Sequence, residues 1–315
     1  MKVLITGVAG FIGSNLASRL LSDDTLSDLD IEVIGIDNLQ YGLKENIPRD
    51  VKFFKIDIRN GKIHKLFKGA DAVFHLAAKN CTSDCQKDPR ETADINITGT
   101  INVFEAARWA GVRKIIYAES SALYEGSGLL PTPESAVQPK SFYAVSKLAG
   151  MHFAEVYKRY YGMTFTALRY FCVYGPIQDY RRTIPPVMSA FIIKLLKGER
   201  PVIYGTGEKR RDFVYVDDVN DFHLFCLRDS RTDHETYNLG SGENHSVLEI
   251  YDKVSRILGV RIEPEFKPDL PGEAQMTLAD ITKASALGWQ PKTDIETGLI
   301  HAVHYIKSEM ASGRI

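Results

Sequence analysis

Cysteine is scarce in this chain, with only four in 315 residues, too few and too scattered for the disulfide framework of a secreted scaffold. Cys81 and Cys85 stand beside a single histidine, His75, which does not make a metal-ligand set. His75 is expected to end a buried strand, the four thiols to be reduced, and no metal to be bound. Net charge is missing too, since 39 basic residues face 40 acidic ones. So balanced a chain has no global field for nucleic acid or an anionic membrane surface, and an anionic ligand has to be held locally. No apolar run approaches the ~20 residues that cross a bilayer, and the start of the chain lacks the charged, apolar and small-residue succession of a signal peptide. A soluble cytoplasmic protein with no membrane or nucleic-acid partner is expected. Internal repeats and low-complexity tracts are also absent.

What is present begins at the first residue. Met1-Lys-Val-Leu-Ile-Thr-Gly7-Val-Ala-Gly10-Phe11-Ile12-Gly13 is an apolar run ending in a three-glycine loop, followed by Ser14 to Leu21 at helical spacing. A strand that turns into a helix through such glycines lets the backbone approach a pyrophosphate, whose charge the helix N–H groups attract. The spacing is Gly-x-x-Gly-x-x-Gly rather than the commoner G-x-G-x-x-G. A second strand, Ile31 to Ile36, ends in Asp37, where a carboxylate reaches a ribose 2′-hydroxyl and repels a 2′-phosphate, which favours NAD over NADP.

Strand-like and helical stretches then alternate. Strands are expected at 51–56, 72–78, 114–118 and 164–169, with helices at 61–67, 98–110 and 144–161. That rhythm implies an α/β fold, a Rossmann-like doubly wound parallel sheet. Ligands in such sheets lie beyond the strands' carboxyl ends. From about Tyr174 prolines at 176, 185, 186, 201, 264, 268, 271 and 291 break the rhythm, which reads as a smaller C-terminal α/β substrate-binding lobe of loops, short strands and short helices. The expected division is a cofactor domain over 1–173, with 211–240 returning to it, and a substrate lobe over 174–210 and 241–315. The tail 310–315 is expected to be mobile.

Tyr143-Ala-Val-Ser-Lys147 opens a predicted helix and sets a phenol and an ammonium one turn apart on one face. A tyrosine of ordinary pKa near ~10 is a poor base at neutral pH, and a neighbouring cation stabilises its phenolate. Ser120, at a strand end, can hydrogen-bond the same substrate oxygen. Alone, a Tyr and a Lys at this spacing make a surface pair; the cofactor motif upstream turns the reading toward catalysis.

These motifs together resemble the extended short-chain dehydrogenases/reductases, more narrowly the nucleotide-sugar epimerases of the UDP-glucose/UDP-N-acetylglucosamine 4-epimerase type. The residues that carry the resemblance, from Met1 to about His304, are Thr6-Gly7-x-x-Gly10-Phe11-Ile12-Gly13, Asp37-Asn38, Asp57-Ile58, His75-Leu76-Ala77-Ala78, Asn96-x-x-Gly99-Thr100, Ser120-Ser121-Ala-Leu-Tyr124, Tyr143-x-x-x-Lys147, Arg169-Tyr170-Phe-Cys172-Val-Tyr-Gly-Pro176, Arg211 to Asp218, Asn238 to Gly242 and Leu278 to Ile281. The resemblance implies a tightly held NAD that removes hydride from C4 of a UDP-sugar while Tyr143 takes the hydroxyl proton, and returns the hydride to the other face after the 4-keto sugar turns. It implies that Ser120 positions the C4 oxygen, that Lys147 tunes Tyr143 and holds the nicotinamide ribose, and that Asp57 and Ile58 contact adenine. Phe11, Ile12, Asn38, Leu76, Ala77, Ala78, Asn96 and Tyr170 fall at the remaining cofactor positions. Ser121, Cys172, Val202, Tyr204, Arg211, Glu273 and Thr277 fall at substrate positions, Tyr204 on the uracil and Arg211 on the diphosphate, which a guanidinium fork suits. A homodimer through the helices near 98–110 and 144–161 is implied as well.

Ser121 and Ala122 occupy positions where related dehydratases and decarboxylases carry acids, so simple oxidation and re-reduction is the favoured chemistry. Thr277 falls where a bulky residue excludes an N-acetyl group in some members. The expected reaction is UDP-N-acetylglucosamine/UDP-N-acetylgalactosamine interconversion, with UDP-glucose/UDP-galactose as a second pair. Two departures, Leu270 for the usual diphosphate arginine and Cys172 for the usual asparagine, leave most phosphate work to Arg211, with Arg181 or Arg182 as substitutes. They keep a UDP-uronate 4-epimerase or a 4-keto-sugar reductase as alternatives. A non-catalytic NAD-sensing protein on the same scaffold is the reading from another class.

Overall fold

The structure, a computed structural model, describes all residues except 183–184 and 270–273, so the readings placed on Leu270 and Glu273 lie outside the described residues. It contains two compact units: Met1–Gly128, Glu134–Tyr170 and Asn220–Asn238 form the first, and Leu129–Pro133, Phe171–Val219 and Leu239–Ile315 the second.

The first unit is built on a seven-stranded sheet. Its strands are β1 (Lys2–Thr6), β2 (Glu32–Asp37), β3 (Lys52–Lys55), β4 (Ala72–His75), β5 (Lys114–Ser120), β6 (Thr164–Tyr170) and Thr236–Leu239, and β1 lies between β2 and β4. The five pairings among β1–β6 all run parallel, with β5 and β6 in register from Lys114 opposite Thr164 to Ser120 opposite Tyr170. Val3, Leu4, Ile5, Val73, Phe74, Ile115 and Ile116 are fully buried, as expected of strands covered by helices on both faces. The helices are α1 (Phe11–Ser22), α2 (Thr82–Lys87), α3 (Pro89–Ala93), α4 (Thr100–Ala110) and α5 (Phe142–Tyr161), and the helix Val216–Arg228 runs on into the unit from Asn220.

Local corrections to the sequence reading have simple causes. The stretch expected as a helix at 61–67 is a 3-10 segment, Gly61–Leu66, capped by Asn60, which accepts from the Lys62 N–H. The helix expected from 98 instead enters through a π turn, Asp94–Gly99, before α4. The second unit holds small two-stranded sheets, but its helices are not all short, since Ile295–Ala311 runs for 17 residues. The tail expected to be mobile is tied down by Arg314, whose Nε donates to Glu309 Oε2 at 2.9 Å. No helix among the described residues is long and apolar enough to cross a membrane.

Candidate active site

The glycine loop is fixed by backbone contacts that leave no room for side chains. Gly7 has φ +77° and donates its N–H to Ile36 O at 2.8 Å. A Cβ on Gly7 would stand 2.8 Å from Ala77 N, and one on Gly13 only 2.2 Å from Gly7 O. Gly10 is the N-cap of α1 and offers no side-chain cap, and the helix's first turn carries no acid. The N–H groups around Phe11, Ile12 and Gly13 are thus left to a ligand, and the helix dipole favours an anionic one. Asp37 ends β2, its Oδ2 accepting from Ala9 N (3.1 Å) and its Oδ1 from Leu39 N (2.7 Å), while burial pushes its carboxyl up. These residues fit NAD: a close-approach loop for the diphosphate and a held carboxylate for a ribose. Asn38 and Asp57 meet at 2.8 Å, and Arg59 holds Asp57 well below the usual carboxylate range. Ile58 is buried alongside.

Beneath the loop lies a relay that sequence reasoning missed. Thr100 Oγ1 donates to Asn96 O (2.7 Å), so at 2.9 Å it accepts from His75 Nε2. The other ring nitrogen, Nδ1, then accepts from Thr6 Oγ1 (2.7 Å), whose oxygen accepts from Ala77 N at 3.2 Å. Burial pushes His75 down to about 3, so the ring is neutral. Leu76 N donates to Thr6 O. Asn96, also buried, accepts from Lys79 N and donates to Lys79 O and Ser146 Oγ. The loop after β4, which carries Ala77 and Ala78, is held at Ala77 by Thr6 and at Lys79 by Asn96 of the π turn, which also reaches Ser146 of α5. The available signal was the polar character of Thr6, His75 and Thr100 inside otherwise apolar segments.

Tyr143 and Lys147 occupy the first turns of α5, whose N-cap Ser141 accepts from Ala144 N at 3.1 Å. Lys147 is 2% exposed, and burial pushes its ammonium down to about 8, against an opposing pull from Glu119. Its Nζ lies 4.3 Å over the Tyr117 ring, and the Tyr117 hydroxyl donates to the Lys147 carbonyl at 3.1 Å. Ser120 ends β5 opposite Tyr170 of β6, its Oγ accepting from Ala122 N at 3.2 Å; Ser121 opens the 3-10 turn that follows. The glycine loop, Asp37, Asn96, Ser120, Tyr143, Lys147 and Tyr170 all belong to the first unit. A half-buried phenol one helical turn from a buried ammonium, in the same unit as the glycine loop, can move a proton while hydride moves to or from a nicotinamide.

The remaining expected residues belong to the second unit. Cys172 N donates to Asp212 O (3.0 Å) and Asp212 N to Thr277 Oγ1 (3.1 Å), which brings Cys172, Arg211 and Thr277 into one neighbourhood. Val202 and Tyr204 lie on another small sheet, paired with residues 265–267. Of the cations flanking Arg211, Lys209 is paired with Asp269, and Arg210 with Glu249 and Asn244. The proposed substitutes Arg181 and Arg182 both reach Asp179.

The family described as NAD dependent epimerase/dehydratase matches residues 3–240. A putative UDP-glucose 4-epimerase of Methanocaldococcus jannaschii is 36% identical over 97% of this chain and 98% of its own. The structure of UDP-glucose 4-epimerase from Thermotoga maritima with UDP-glucose superposes with a TM-score of 0.93 at 34% identity, over 98% of this chain and 100% of that one. That of UDP-N-acetylglucosamine 4-epimerase from Methanobrevibacter ruminantium, in complex with UDP-N-acetylmuramic acid, gives 0.91 at 31% identity, over 98% and 99%.

Proposed function

The chain belongs to the NAD dependent epimerase/dehydratase family, and from that premise we propose that it is a UDP-sugar 4-epimerase whose preferred pair is UDP-N-acetylglucosamine and UDP-N-acetylgalactosamine, with UDP-glucose and UDP-galactose as a second pair. The observation that carries the reading is the Tyr143–Lys147 pair at the start of α5, with Lys147 buried, in the same compact unit as the glycine loop and Ser120. The glycine loop and Asp37 would hold NAD, which would supply the hydride acceptor for oxidation and the hydride donor for the return step. Tyr143 takes the proton of the sugar's C4 hydroxyl and later gives it back, Ser120 holds the C4 oxygen, and Lys147 keeps the phenolate accessible near neutral pH. With Ser121 and Ala122 beside Ser120, the motif has no further acid to eliminate water or move another proton. The first unit is proposed to hold NAD, and the second the UDP-sugar through Arg211, Tyr204, Val202, Cys172 and Thr277.

The preference for an N-acetyl sugar is supported by Thr277, a small residue whose hydroxyl is turned onto Asp212 N. A homodimer is proposed as well. Trp109 of α4 (74% exposed) and Val145, Phe153, Val156 and Tyr160 of α5 form an exposed apolar stripe at helical spacing that a second copy would cover. The test is to incubate the purified protein, with no added cofactor, with UDP-glucose, UDP-galactose, their N-acetylated counterparts and UDP-glucuronate, and to resolve the products. Equilibration of the N-acetylated pair is expected. Turnover of UDP-glucuronate alone would overturn the substrate reading, and dependence on stoichiometric NADH would overturn epimerisation.

A further inference from the structure

The strand that ends in Ser120 carries one carboxylate, Glu119, in the position just before it, and none of the motifs gives it a role. Glu119 is 1% exposed. Its Oε2 accepts from Arg169 Nε at 2.6 Å, across the register that sets Glu119 opposite Arg169, whereas Oε1 is buried with no hydrogen-bond partner among the described residues. Strand alternation puts Glu119 on the same face of β5 as Tyr117 and on the opposite face from Ser120. That face is the one toward α5, because the Tyr117 ring lies under the Lys147 ammonium. Gly150, one turn beyond Lys147, allows the approach, since a Cβ there would stand 2.3 Å from the Tyr117 hydroxyl. A buried carboxylate with one unused oxygen is costly unless a cation answers it.

We propose that Glu119 is a positioning residue for the hydride-transfer reaction: anchored by Arg169, its carboxylate and the Tyr117 ring form the floor that keeps the Lys147 ammonium charged and in place beneath Tyr143. The inference rests on the epimerase reading for the role of Lys147, but not for its charge. The groups around Lys147 are His75 from β4, Tyr117 and Glu119 from β5, and Tyr143 from its own helix. Burial pushes the Glu119 carboxyl up, and Arg169 of β6 with Lys147 and His152 of α5 act against that rise. His75 is neutral, so Glu119 is the anion that favours the charged form of Lys147, while burial opposes it. Arg169 has further acceptors in the Tyr124 hydroxyl and the Glu134 carbonyl, which hold the pair's geometry.

The test titrates Lys147 directly in the NAD-loaded full chain without substrate, by NMR of lysine labelled at Cε, with Lys147→Met to assign the resonance. In Glu119→Gln the midpoint is expected to fall by about one pH unit or more, the effect of removing a nearby anion from a poorly screened site. Glu119→Asp should restore it, and the alkaline limb of kcat should move with it. Glu119→Gln combined with Arg169→Gln leaves no unpaired buried guanidinium and should show the same fall, so a misfolded single variant does not blunt the test. A Lys147 midpoint unchanged in the folded variants overturns the proposal whatever the enzyme turns over; absence of UDP-sugar turnover in the unsubstituted protein overturns the epimerase reading instead.

Discussion

Two fully buried histidines should make this protein acid-sensitive well above the carboxylate range. His75 sits in the relay under the glycine loop, and His223 accepts from or donates to the Tyr170 hydroxyl at 2.7 Å and meets Asn220 at 3.2 Å. Burial pushes each from 6.5 down to about 3, with a smaller push on His75 from Lys147. A base whose folded pKa is depressed binds its proton more readily in the unfolded chain. Stability is therefore lost as pH falls through 6.5, and the loss continues until about 3. At pH 5.5 the unfolded chain gains RT ln 11 per histidine, about 1.4 kcal/mol, against about 0.2 kcal/mol at pH 7.0. The pair should remove about 2.5 kcal/mol over that interval, a large part of an ordinary folding free energy. Urea unfolding at the two pH values, followed by circular dichroism at fixed ionic strength, measures it. His223→Gln should unfold more easily at pH 7.0 and lose about 1.2 kcal/mol less than the unsubstituted protein on acidification. An unchanged pH dependence in His75→Gln and His223→Gln would refute the burial argument.

The other expectations concern the site and its assembly. Tyr143→Phe should lower kcat by about 10²–10⁴-fold through loss of the acid–base group, while NAD copurifying with the protein, read by absorbance after denaturation, stays the same. Gly13→Ala should strip that NAD and cost about 1–3 kcal/mol of stability, because its Cβ would fall 2.2 Å from Gly7 O; a variant retaining full cofactor content would contradict the loop geometry. Trp109→Glu with Val156→Glu should shift the sedimentation coefficient to that of a monomer, and an unchanged value would move the proposed dimer face elsewhere.

The sheet was readable in advance because its strands are buried on both faces. Val3-Leu4-Ile5, Val33 to Ile36 and Ala72 to Phe74 are nearly unbroken apolar runs, a pattern that belongs to parallel strands under helices. The glycine loop was readable because its glycines answer a steric demand that no other residue meets. The π turn Asp94–Gly99 was not, since it differs from α-helix only in where each N–H finds its acceptor. It is nevertheless the turn that carries Asn96 to the backbone of Lys79.

Glu119 marks the same boundary on the chemical side. An ionisable residue inside Lys114-Ile-Ile-Tyr-Ala-Glu-Ser120 is visible to anyone reading the strand, and alternation already separates its face from that of Ser120. Its anchor is not visible, because Arg169 lies 50 residues away and meets it only through the parallel register of β5 and β6. Motifs local in sequence, such as Tyr143-x-x-x-Lys147, reveal the groups that touch a substrate. The groups that set the charge of those residues arrive from neighbouring strands, and register carries them there. The chemistry of a site on this fold can therefore be named from its motifs, while the pH at which it runs depends on pairings like Glu119 with Arg169.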